Sequence, residues 1–125
     1  RRSYRKVRFW SQQYGDYPYA RRIGDGSLEF VAPSLEALDE ALGGEGVDVV
    51  GTRLHAGIRA LQFGRRAIVV GIDNRALEMA RDVRLPVVAR ERVNADLEQL
   101  INGCWATELR VDAAAIAAWK RQLSP

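Results

Sequence analysis

The chain is poor in the residues that most often carry chemistry. It has one cysteine, Cys104, and one histidine, His55. One cysteine forms no internal disulfide, and one cysteine with one histidine cannot build a zinc cluster, so no metal site is expected. Cys104 reads as a small, partly buried residue in a helix, and sparse cysteine fits a reducing, cytoplasmic setting. No apolar run approaches the length of a membrane span and no signal-peptide pattern opens the chain, so no transmembrane segment is expected. The phosphate-binding pattern GxxxxGK[ST] is missing. The glycines of "GGEGVDVVG" (43–51) come before an apolar run, whereas a dinucleotide fingerprint follows a strand, so that stretch reads as a turn.

What remains is ordinary for a globular protein: 47% hydrophobic and 28% charged residues over 125 positions, enough for one domain with a real core. The first residue is Arg rather than Met, as expected for a piece of something longer. The net charge of +3 has a local origin. Residues 1–8, RRSYRKVR, hold five basic groups and no acidic one, so the rest of the chain is slightly acidic. With Tyr4, Phe9 and Trp10 close by, such an arm could touch phosphates. A solvated flank is the plainer reading, and no nucleic-acid partner is expected.

Periodicity alternates between strand and helix along the whole chain. Residues 7–11, 28–32, 47–50, 67–72 and 85–89 read as strands, the third nearly all apolar as if covered on both faces. Helices are expected at 17–22, after a Ser34 cap with Leu35, Leu38 and Leu42 inward, at 54–63 and at 75–81. Asn94 and Asp112 stand where caps belong, ahead of helices carrying Leu97, Leu100 and Ile101, then Ile116, Trp119 and Leu123. Strands separated by helices imply right-handed parallel crossovers. The expected fold is therefore α/β: a single Rossmann-like domain over residues 1–125, with an open parallel sheet of about five strands and helices on both faces. The second strand would lie on one side of the first, with strands three to five on the other. Ligands in such sheets bind beyond the carboxyl ends of the strands where the winding reverses. Here that point falls between "QQYGD" (12–16) and "GTRLH" (51–55).

The second of these loops has suitable chemistry. A helix starting near Leu54 offers free N–H groups and the positive end of its dipole to an anion. Gly51 allows a tight turn and close backbone approach. Arg53 adds a planar fork of donors that suits a carboxylate or phosphate. His55, in the first helical turn, can exchange a proton near neutral pH. Together they suit an anionic substrate that needs one proton transfer. Gln13 and Asp16 on one side, and Asp73 and Arg75 on the other, are possible pocket lining; loop, turn and cap roles are the plainer alternatives for them.

The stretch "VDVVGTRLHAGIRALQFGRRAIVVGIDNRALEMARDVRLPVV" resembles the C-terminal part of the polysaccharide pyruvyl transferase family. It shows a strand, a Gly-x-Arg-x-His turn, an amphipathic helix, another strand and an Asp-containing turn. "PSLEALDEALGGEGVDVVGTRLHAGI" continues the likeness upstream and "RFWSQQYGD" does so more weakly, so residues 7–90 are covered. Ala56 follows His55 where glycine is commoner in the family.

The resemblance implies one half of a two-domain, glycosyltransferase-type fold, this chain being the C-terminal, donor-binding half of a longer enzyme. The implied reaction moves pyruvate from phosphoenolpyruvate to a pair of hydroxyls on a sugar or glycan acceptor, forming a ketal and releasing phosphate, as in exopolysaccharide biosynthesis. Phosphoenolpyruvate is then a donor substrate, no separate cofactor is implied, and the N-terminal domain of the full-length enzyme is a partner. Gly51, Arg53, Leu54 and His55 would bind substrate, Leu54 through its backbone, with His55 also catalytic. A second donor-binding arginine in the family has no assignable counterpart here. The isolated chain would be inactive. Two other readings stay open: a non-catalytic α/β module binding an acidic partner through its basic arm, and the nucleotide-sugar-binding half of a glycosyltransferase.

Overall fold

The computed structural model describes residues 4–105, 107, 108 and 110–123. Strands and helices alternate as β1 (Arg8–Trp10), α1 (Asp16–Ile23), β2 (Glu29–Val31), α2 (Leu35–Gly43), β3 (Asp48–Gly51) and α3 (Leu54–Gln62). They continue as β4 (Arg66–Gly71), α4 (Asn74–Val83), β5 (Val87–Ala89), a 3-10 turn at Arg90–Arg92, α5 (Val93–Asn102) and α6 (Ala113–Leu123). None of the helices among the described residues is long and apolar enough to cross a membrane. Several boundaries follow from local chemistry. The Ser34 hydroxyl accepts from the Ala37 N–H at 3.2 Å and caps α2. Asp73 caps α4 through the Ala76 N–H, and Asp112 caps α6 through the Ala115 N–H. Gly64, at φ +66, turns the chain from α3 into β4, a conformation that costs glycine little.

All strand pairs are parallel, but they form two sheets instead of the single five-stranded one expected. β1 pairs with β2, Phe9 opposite Phe30; β4 lies between β3 and β5, with Val49 opposite Ala67 and Val70 opposite Val88. The predicted neighbours β1 and β3 are not hydrogen-bonded. Between them lies a cavity of about 590 Å³, bordered by Phe9 and Trp10 on one side and Val49 and Gly51 on the other. Paired strands stand about 4.8 Å apart, a spacing that leaves no room for such a space. The cavity and a closed β1–β3 ladder exclude each other.

The core gathers where α3 packs on β4. Ala56, Ala60 and Leu61 meet Ala67 and Val69, joined by Leu38 and Leu42 of α2 and by Leu85. Small residues on α3 let the helix lie close to the sheet. Gly57 is the extreme case, since a Cβ there would stand 2.5 Å from Cγ2 of Val69.

Several burial expectations fail outside this centre. Leu35 is exposed although Leu38 and Leu42 are buried, because only one side of α2 meets the core. Val50, expected to be covered on both sides, is 40% exposed, in a strand that among the described residues has a neighbour on one edge only. Ile116, Trp119 and Leu123 of α6, expected to face inward, are exposed instead, Trp119 at 60%. Asn94 lies inside α5, which begins one residue earlier, directly after the 3-10 turn, so it is not the cap. Cys104 is exposed and lies after α5, because the helix ends at Asn102.

Candidate functional site

The candidate site lies at the carboxyl ends of β1 and β3. β3 ends at Gly51, and Arg53 holds extended backbone angles (φ −91°, ψ 105°) as the N-cap of α3. The first helical bond is donated by the Gly57 N–H to the Arg53 carbonyl at 3.2 Å. The N–H groups of Leu54, His55 and Ala56 precede that bond and have no partner within the helix. The Arg53 side chain makes no capping hydrogen bond at this end. Arginine can only donate, so Arg53 as N-cap leaves these N–H groups unsatisfied, where a Ser or Asp would engage one.

The Arg53 side chain crosses instead to the turn that follows β1. Its Nη2 lies 3.0 Å from Oδ2 of Asp16, the first residue of α1, with the two side chains 37% and 39% exposed. The turn holding Asp16 is built on the Gln13 carbonyl, which accepts from the Asp16 N–H at 3.1 Å and from the Ser11 hydroxyl. Ser11 is itself buried. This folding brings together the two loops that the sequence places at the winding reversal. Gln12, Asp16, Gly51, Thr52 and Arg53 all border the carboxyl-end mouth of the cavity between the sheets.

The other expected residues are placed differently. His55 is exposed in the first turn of α3 and does not border the cavity. Leu54 is half-buried and packs against the core, so its side chain faces inward while its N–H belongs to the open helix end. Gln13 contributes its carbonyl to the turn, and its exposed side chain is not part of the wall. Asp73 and Arg75 pair with each other at 2.8 Å, the arginine side chain 81% exposed, and neither reaches the cavity. Asp73 serves as the cap of α4, and the Arg75 guanidinium holds its carboxyl below the ordinary range.

Two residues at the carboxyl-end mouth of the cavity escaped sequence reasoning. Gln12 and Thr52 each adjoin a residue that was singled out, but turn geometry alone decides which neighbour points inward. A third unforeseen feature is a polar cluster at the opposite, amino end of the strands. Arg66 donates to the carbonyls of Gly103 (2.8 Å) and Ile101 (2.9 Å), pairs with Asp48 at 2.5 Å, and stacks over Trp105. The Tyr4 hydroxyl donates to the same Asp48 carboxylate. Burial pushes the Asp48 carboxyl up, but hydrogen bonds from Arg66 and Tyr4 outweigh it and hold the group below its usual value. The Tyr4 phenol is raised, by burial and then by Asp48. In the basic arm, Lys6 and Arg8 both reach Glu29 of β2, at 2.6 and 3.8 Å. Residues 1–3 of the arm lie outside the described residues.

Compared with protein-family models, curated proteins and solved structures, the chain finds no match in any of the three.

Proposed function

We propose that this chain is the donor-binding half of a polysaccharide pyruvyl transferase, holding phosphoenolpyruvate at the β3–α3 turn. The observation that carries this reading is Arg53. It caps a helix start that no side-chain acceptor occupies, and its guanidinium lies at the mouth of a cavity. A helix N-terminus beside a fork of charge-assisted donors suits a ligand with two anionic groups. Phosphoenolpyruvate has two, a phosphate and a carboxylate. The Gly-x-Arg-x-His turn adds the family resemblance.

In the proposed reaction an acceptor hydroxyl adds to C2 of the enol while the methylene carbon takes a proton. A second hydroxyl then displaces phosphate from C2 and closes the ketal. His55 is the imidazole of this turn, and in this reading it delivers that proton. His55 is exposed and lies outside the cavity wall, so in this reading the acceptor and the other half of the enzyme would approach from its side. Asp16 acts as a gatekeeper, because its carboxylate holds the guanidinium that the donor must capture.

Backbone amide NMR of the chain with added phosphoenolpyruvate tests this proposal. Shifts should concentrate at residues 51–56, and Arg53→Ala should weaken binding by roughly 10- to 150-fold, the equivalent of a charge-assisted contact worth about 1.5–3 kcal/mol. Asp16→Asn should tighten binding up to about 5-fold, since an ion pair this exposed contributes at most about 1 kcal/mol. Inorganic phosphate should compete and lactate should not. Shifts confined to the basic arm, weakening steeply with salt, would replace this reading with that of a module binding an acidic partner.

A further inference from the structure

The cavity between the two sheets has the form of an unfilled strand position. β1 has a partner on one edge only, and so does β3, among the described residues. The space between them runs the full length of both strands. Tyr4 and Gly46 border it at the amino end, Gln12 and Arg53 at the carboxyl end. Long side chains bridge the gap at its two ends: Tyr4 meets Asp48 and Arg66 at the amino end, and Arg53 meets Asp16 at the carboxyl end. Because amino end meets amino end and carboxyl end meets carboxyl end, β1 and β3 run in the same direction.

Two edges of equal polarity with one inter-strand space between them accept a strand parallel to both. The length agrees as well: β3 has four residues, about 13 Å at the usual rise. The walls along the strands are apolar, with Trp10, Val49 and Val69 facing the space, and a Cβ built on Gly51 would meet nothing within 4 Å. An empty position also accounts for the exposure of Val50 in a strand whose composition is that of a sheet centre.

We propose that in the complete protein this slot holds one further parallel β-strand, apolar and four to five residues long, supplied by polypeptide N-terminal to Arg1. The strand joins the two sheets into one, in the order β2, β1, inserted strand, β3, β4, β5. That is a doubly wound arrangement with its reversal at the inserted strand.

Two features assign the strand to the same polypeptide and not to a separate chain. The slot is covered by Leu42 of α2 and Ala56 of α3, so its occupant has to be in place as those helices dock. A parallel neighbour of β1 also needs a crossover of a dozen or more residues that returns to the amino end of β1. The stretch from Tyr4 to Val7 arrives at that end, fixed by Tyr4 on Asp48 and by the Val7 carbonyl on the Glu29 N–H at 3.2 Å. The carboxyl end of the inserted strand would emerge between Asp16 and Arg53. The inference holds whether or not the site takes phosphoenolpyruvate.

Amide hydrogen exchange on two proteins tests it: the 125-residue chain, and the same chain extended by whatever its reading frame encodes before Arg1. In the extended protein, the amides of β1 and β3 that point into the slot should exchange at least about 100-fold more slowly than in the short chain, as expected when free donors enter a ladder. Amides of β4, paired on both sides already, serve as the reference and should change far less. Equal protection of β1 and β3 in the two proteins would overturn the proposal. So would a reading frame with fewer than about a dozen residues before Arg1. Protection that appears in the short chain and rises with its concentration would give the slot to a second copy, and that too would overturn it.

Discussion

Gly57→Ala tests whether close approach of α3 to β4 sets the position of the Arg53 turn. In a helix interior the change from glycine to alanine stabilises by about 0.5–1 kcal/mol, because the unfolded chain loses freedom. Opposing this, the new Cβ would fall 2.5 Å from Cγ2 of Val69 and 3.5 Å from Cδ1 of Leu85. Val69 is 1% exposed, its β-branched side chain is stiff, and its strand is paired on both edges, so it cannot yield cheaply. Overpacking of this kind costs about 1–3 kcal/mol, which exceeds the helical gain. Gly43→Ala is the matched control. It too is helical, and nothing lies within 4 Å of its built Cβ, so only the gain should appear. Gly43 is the last residue of α2, where the helical gain is smaller than in an interior, so the difference between the two variants is a lower bound on the contact cost of about 1–3 kcal/mol. Urea unfolding followed by circular dichroism should move the midpoint of Gly57→Ala down and that of Gly43→Ala up, with equal slopes. Two variants stabilised alike would refute the argument, since the α3–β4 contact would then be slack.

Arg66→Ala should destabilise by about 3 kcal/mol, because it strands the Asp48 carboxylate and two carbonyls at a partly buried site. Arg75→Ala, which removes an exposed pair, should move the unfolding midpoint by no more than about 0.5 kcal/mol. Acid should weaken the fold in a defined window. Hydrogen bonds from Arg59, Arg75 and Arg92 hold Asp39, Asp73 and Asp96 below the ordinary range, and Asp48 is depressed despite its burial. Depressed carboxylates take up protons more readily in the unfolded chain, so their contribution is complete above about pH 4 and lost as pH falls through the folded values. A melting temperature flat from neutral pH to about 5 and falling below 4 is expected, with the gap between wild type and Asp48→Asn closing over the same range. A constant gap would show that Asp48 titrates alike in both states. In a complete enzyme, His55→Ala should lower kcat far more than it raises the donor KM; the reverse would make His55 a binding residue.

What the sequence determined by itself is local. Ser34, Asp73 and Asp112 announce helix starts because a short side chain reaches the N–H groups of its own next turn, whatever the rest of the chain does. The apolar runs of β3 and β4 and the glycine at 64 lie close to where periodicity and turn chemistry put them. The "GTRLH" turn was legible for the same reason, since a strand end, a glycine and a helix start occupy five consecutive residues. Asn94 fails as a cap because α5 follows the 3-10 turn directly, which puts Arg92 at the N-cap position two residues earlier.

Everything that depends on distant segments was decided by the tertiary structure. Spacing along the chain cannot say that Arg53 meets Asp16 across 37 residues, that His55 stays outside the cavity wall, or that Asp73 and Arg75 satisfy each other away from the cavity. The same holds for the sheet. Each strand's pattern is compatible with a neighbour on either edge, because side-chain alternation reports which face is buried and says nothing of what lies beside the backbone. The separation of β1 from β3, and the cavity that opens between them, therefore had no sequence signal.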